Sequence, residues 1–149
     1  MHNARNPSKQ EWDEYLAVSQ SVKDAAGEDF ANFKQLIFTD GGGPNAAQRT
    51  ASTEIAEGVK GAEKIKVAAV SRSIVARGIV TAFRWLGFPL RSFTPEQLVE
   101  AFAFIAVSDA EAVDICLAVG ELCATIHGPV RSASWVEAYR AKLGGATAS

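Results

Sequence analysis

An α/β fold with a small, mostly parallel sheet of about three to four strands flanked by helices is predicted by three observations. Two short apolar runs, Leu36-Ile37-Phe38 and Val67-Ala68-Ala69-Val70, each lead through a turn into a helical pattern. A third short run, Leu90 to Phe93, feeds the helix start Thr94-Pro95-Glu96-Gln97. The resulting order of helix, strand, helix, strand, helix, strand, helix is the alternation that builds a parallel sheet through right-handed crossovers.

Taken along the chain, residues 1–8 are polar and are expected to be disordered. Ser8 followed by Glu11 is a capping box, so the first helix begins near Lys9. Trp12, Tyr15, Leu16, Val18 and Val22 give it one apolar stripe, and Gly27 ends it. The first strand covers residues 34–39, with both faces apolar, as for a strand covered by helices on both sides. A second helix runs from Pro44, a favoured first residue, to about Glu57. It carries little beyond alanines and Ile55, so it packs closely through them or is only partly buried.

Ile65 to Val70 repeats the strand signal, and Ser71 or Ser73 caps a third helix with the stripe Val75, Ile79, Ala82, Phe83 and Leu86. Leu98, Phe102 and Ile105 face inward from the helix that Thr94 and Gln97 box. Ser108 with Glu111 starts a further helix, to about Ile126, and Ser134 with Glu137 a last one, to Leu143. The 109–126 helix is apolar over more than half its circumference and must bury two sides, under the last helix or against another subunit. The chain therefore divides into an α/β core over 9–107 and a C-terminal helical extension over 108–149, packed on the core or on a partner subunit.

Charge narrows the partners. The net charge of −2 argues against a polyanion binder, so neither nucleic acid nor an acidic membrane is expected. The longest apolar region, Ala112 to Ile126, is interrupted by Asp114 and Glu121 and is too short to span a bilayer. The polar N-terminus lacks the apolar segment of a signal peptide. Cys116 and Cys123 lie two helical turns apart, roughly 10 Å, beyond disulfide reach, and read as small buried thiols in a reducing, cytoplasmic compartment. Sign is uneven. Lys60, Lys64, Lys66, Arg72, Arg77, Arg84 and Arg91 crowd the middle, whereas Ser92 to Val130 has acids and no Lys or Arg. That polarity favours self-association or an acidic partner on the basic side, and equally describes solvated helix faces of opposite sign.

In an open parallel sheet, ligands and partners meet the carboxyl ends of the strands. Those ends are Thr39-Asp40-Gly41-Gly42-Gly43 and Ser71-Arg72-Ser73, with Arg49 and Arg77 a turn or so further on. Glycine N–H groups at a helix start, beside arginines, suit a phosphate or carboxylate. The plainer account is a tight turn beside solvated arginines, because GGGP has neither the Walker lysine nor a dinucleotide spacing. Asp40 could hold magnesium or accept a phosphoryl group, but the other strand ends offer no further acids. Its structural role would be to satisfy N–H groups in its own turn. No nucleophile is paired with a histidine, and His127 beside Gly128-Pro129 reads as a helix end. No catalytic residue, metal or cofactor is expected.

LIFTDGGGP, followed by VAAVSRS and the Ser-Phe-Thr-Pro-Glu helix start, resembles the STAS domain of anti-sigma-factor antagonists of the sporulation type, over residues 9–107. In that family a strand ends in Asp-Ser-Ser-Gly or Asp-Thr-Ser-Gly, and the hydroxyl is phosphorylated by an anti-sigma kinase that the same surface binds. Asp40 matches the family aspartate and Gly43 the family glycine, while Gly41 and Gly42 stand where the hydroxyls belong. Thr39 is the nearest hydroxyl. The opening hairpin is replaced by a helix, and the two C-terminal helices are additional. The resemblance implies a STAS-like core without the phospho-switch, with a bacterial signalling setting as the expectation, and does not imply a working regulator of a sigma factor. The chain is expected to be non-enzymatic, to bind a protein partner such as a kinase or regulator, and to form a homodimer, with Asp40–Arg49 and Ser71–Arg77 as contact surface. The alternative is a small-anion or nucleotide-binding domain using Gly41–Gly43 and nearby arginines.

Overall fold

The computed structural model of the chain describes residues 4–57, 64–74, 89–125 and 131–146. Three strands, Lys34–Phe38 (β1), Lys66–Val70 (β2) and Leu90–Phe93 (β3), form a parallel sheet in the order β1-β2-β3. Five helices surround it among the described residues: Lys9–Ala26 (α1), Ala46–Ala56 (α2), Leu98–Phe104 (α3), Asp109–Thr125 (α4) and Ser132–Ala146 (α5). The fold is the α/β arrangement that the alternation of runs and caps predicts. The helix expected from Ser71 or Ser73 to Gly87 lies mostly outside the described residues.

Strand order decides which strand is buried on both faces. β2 is central, and Ala68, Ala69 and Val70 are all buried. β1 is an edge strand in which only Phe38 is fully buried, while Leu36 and Ile37 are half-covered. The two-faced burial expected for residues 36–38 therefore belongs to β2, whose short alanines let helix and sheet approach closely.

One core joins the sheet to the C-terminal helices. Phe38, Val70 and Phe93 pack with Leu98 and Phe102 of α3 and Ile105 that caps it, with Cys116 and Val119 of α4, and with Trp135, Val136 and Tyr139 of α5. Each large apolar side chain buried in this way contributes about 1.5–3 kcal/mol. α4 and α5 thus pack within the chain. Of the two sides that α4 was expected to bury, only the one carrying Ala112, Cys116 and Val119 is covered. Val113, Leu117 and Leu122 remain 37%, 42% and 53% exposed.

α1 starts at the predicted box. The Glu11 carboxylate accepts from the Ser8 N–H and hydroxyl, each at 2.7 Å, and pairs with Arg5. Gly27 caps its end at φ 54°, donating its N–H to the Lys23 carbonyl. Trp12 is buried and Leu16 and Val22 half-buried. Val18, 64% exposed, is not part of that stripe, because it lies about 240° around the helix from Trp12. Two bonds hold α1 alongside α2 in the same direction: Trp12 Nε1–H to the Gln48 carbonyl at 3.0 Å, and Lys23 Nζ to the Ile55 carbonyl at 2.6 Å. α2 begins at Ala46, two residues beyond the proline expected to open it. Asn45 is the cap and boxes with Gln48, and no described residue of α2 is fully buried.

The Glu11 box has a pH signature. Hydrogen bonds from Arg5 first, and then from the Ser8 hydroxyl and N–H, hold its carboxyl at about 2, below the ordinary 4.5. A depressed folded-state value contributes stability that is present above pH 4.5 and is lost as pH falls through about 2. The Tm difference between the wild type and Glu11→Gln is expected to narrow across that window in circular-dichroism melts.

Backbone strain marks the end of α3. Ala106 has φ 55°, and the Val107 N–H returns to the Phe102 carbonyl at 3.0 Å, the closure of a helix that ordinarily carries glycine there. Ala106→Gly is expected to raise stability by about 0.5–1 kcal/mol in urea denaturation, since glycine removes the Cβ clash.

Candidate functional site

Because β1, β2 and β3 are parallel and in register, with Phe38 opposite Val70 and Val70 opposite Phe93, their carboxyl ends finish level. The ladder continues one rung further. The Thr39 N–H donates to the Val70 carbonyl at 3.1 Å, and the Ser71 N–H to the Phe93 carbonyl at 3.0 Å. Thr39 and Ser71 are consequently both buried at the rim of the sheet. Thr39, Asp40, Gly41, Gly42, Gly43, Arg49, Ser71, Arg72 and Ser73 all gather at this end. Arg77 and Arg84 lie outside the described residues.

The turn after β1 is organised by Thr39. Its hydroxyl accepts the Gly41 N–H at 3.1 Å and donates to the Gly42 carbonyl. Gly41 has φ 127°, a conformation side chains disfavour, while a Cβ built there would meet Ser73 only at an ordinary 3.7 Å. Glycine is thus required at this position by backbone geometry and not by crowding. The Gly43 N–H donates to Asn6 Oδ1 at 3.2 Å, and Gln48 Nε2 to the Pro7 carbonyl at 3.3 Å, so the segment ahead of α1 is tied over the turn. Arg49 bends back, its Nη1 donating to the Pro44 carbonyl at 2.7 Å.

Asp40 does not serve its own turn as expected. Its Oδ2 accepts the backbone N–H of Arg131 at 2.8 Å, just ahead of α5. A carboxylate there complements the positive end of the helix dipole. A second correction concerns the helix itself. α5 starts at Ser132, two residues before the expected cap, and the Ser134 hydroxyl instead donates to the Arg131 carbonyl at 2.8 Å. Asp40 Oδ1 and the Ser132 hydroxyl are buried without a hydrogen-bond partner among the described residues.

On the β2 side, the Ser73 N–H donates to Ser71 Oγ at 3.1 Å. Arg72 pairs with Glu96, at the turn after β3, at 3.0 Å. Both side chains are well exposed, so solvent screens the pair and it adds little to stability. At the following helix start the Thr94 N–H donates to Gln97 Oε1 and the Gln97 N–H to the Thr94 carbonyl, each at 3.0 Å. Asn6, Glu96, Arg131 and Ser132 are the site neighbours that sequence reasoning missed. Glu96 had a visible signal as part of a helix start; the other three meet the turn only through the fold.

The chemistry available is limited. The glycine-turn donors Gly41 N–H and Gly43 N–H already have protein acceptors, as does the Gln48 N–H, which donates to Asn45 Oδ1 at 2.9 Å. Burial pushes the Cys116 thiol up to about 11, and burial together with the charge of Asp40 raises that of Cys123. Both are kept as protonated thiols, the opposite of an activated nucleophile. Among the described residues no group of three or more His, Cys, Asp or Glu side chains is placed to hold a metal ion, and no helix is long and apolar enough to cross a membrane. Comparison of the chain with protein-family models, with curated proteins and with solved structures gave no match.

Proposed function

We propose that the chain is a non-enzymatic protein–protein interaction or regulatory module, resembling an anti-sigma-factor antagonist without the phospho-switch. One observation carries this reading: most polar groups of the strand-end turn, Asp40 Oδ1 excepted, are bonded to one another and to neighbouring elements. Thr39 holds Gly41 and Gly42, Asn6 holds Gly43, and Asp40 holds the start of α5. A turn braced in this way presents a fixed shape at low ordering cost, which suits recognition by a protein partner such as a kinase or regulator. The contact surface is the Asp40–Arg49 loop with Ser71, Arg72, Ser73 and Arg77, and a second copy is the simplest occupant, giving a homodimer. The competing reading, a small-anion or nucleotide site, is weakened because three of its donors, Gly41 N–H, Gly43 N–H and Arg49, already have internal acceptors.

Sedimentation velocity over a concentration series, with wild type and Arg72→Glu, tests the proposal. Reversible dimerisation that weakens in the variant supports it. A strict monomer whose Tm rises with phosphates, nucleotides or carboxylates overturns it in favour of the anion site.

A further inference from the structure

α4 carries a second apolar stripe that the fold does not use. At about 100° per residue, Val113, Leu117, Gly120 and Ala124 share a line roughly 80° from the buried line through Cys116. Their spacing is that of a helix–helix seam. All four are exposed, and a Cβ built at Gly120 would meet no atom within 4 Å. An interior helical glycine costs about 1 kcal/mol relative to alanine. Here no close approach within the chain requires it. Beside Leu117, Gly120 and Ala124 leave a shallow notch into which a side chain from another helix fits.

Charge says what that helix is. Asp114 and Glu121 edge the stripe, and neither forms an ion pair among the described residues. No Lys or Arg occurs from Ser92 to Val130. Several cations of the sheet are occupied elsewhere: Lys34 on the Ala106 carbonyl, Lys66 and Arg91 over the Phe104 ring, and Arg72 on Glu96. A second copy would set Asp114 and Glu121 against the same two acids, a like-charge arrangement that opposes pairing. We infer that this face of α4 docks a cationic amphipathic helix of a protein partner, with apolar residues in the notch and lysines or arginines against Asp114 and Glu121. The residues of this stripe are not those of the strand-end turn, so the substitutions that test the two interactions are distinct.

The probe is a fluorescent peptide of about fourteen residues, long enough for one helix-in-groove contact. It carries leucines at the spacing of Val113, Leu117, Gly120 and Ala124 and lysines on both flanks, and anisotropy is read against the full chain. A scrambled peptide of the same composition and a glutamate-for-lysine version are the controls. Saturable binding is expected only for the cationic amphipathic peptide, weakening with added salt. It is expected to fall by about tenfold or more in Leu117→Ser and in the double variant Asp114→Lys, Glu121→Lys. These positions are exposed, and unchanged circular-dichroism melts establish that the variants fold. Equal binding of the scrambled peptide, or no saturable binding, overturns the inference. So does dimerisation that Leu117→Ser abolishes and Arg72→Glu leaves intact, which would place a second copy on α4.

Discussion

Truncating Phe102 to alanine is expected to lower the free energy of unfolding by about 3–5 kcal/mol. Phe102 is only 3% exposed, and its ring lies 5.2 Å from that of Tyr139 on α5. It therefore couples α3, and through it the sheet, to the C-terminal helix pair. Domains of this size are stable by about 5–15 kcal/mol, so the loss is a large share of the total. The check is a urea titration in which the midpoint falls while the slope stays constant. Phe102→Leu refills most of the cavity and is expected to cost about 1.5 kcal/mol or less.

The second large effect is expected at Asp40. Asp40→Ala removes the only described acceptor of the Arg131 N–H and is expected to cost about 1.5–3 kcal/mol, the range for a hydrogen bond to a charged group. Asp40→Asn keeps an oxygen in place but loses the charge that faces the helix dipole, and is expected to fall between alanine and wild type. Hydrogen exchange locates the effect, with faster exchange concentrated in the first turn of α5. Wild-type exchange there in Asp40→Ala would show that the start of α5 is held by something other than this carboxylate.

These two residues also mark the limit of what the sequence discloses. The core position of Phe102 is legible because Leu98, Phe102 and Ile105 recur at helical spacing behind the Thr94 box, all of it local. The parallel sheet is equally legible, from apolar runs feeding capped helices, and level strand ends bring the glycine turn and Ser71–Ser73 together. The bonding within the site was not legible. Thr39 takes the part expected of Asp40, because Asp40 is drawn to an N–H 91 residues further along the chain. No local pattern signals that distance, and α5 starts two residues before its apparent box. Asn6 is hidden for a like reason, since its partner Gly43 is 37 residues away. Burial on both faces was assigned to β1 because composition reveals apolar character but not strand order.

The junction of Phe38 with Trp135, whose rings lie 6.5 Å apart, has a consequence for the order in which the protein is made. Translation delivers all three strands and α3 well before α5, which brings Trp135, Val136 and Tyr139 to the core. Until that last helix leaves the ribosome, Phe38 and Phe102 have no lid, and the nascent chain carries a wet apolar flank beside an edge strand. The core is completed only once that helix is delivered, and the interval before it is when the chain is most open to aggregation or to a chaperone.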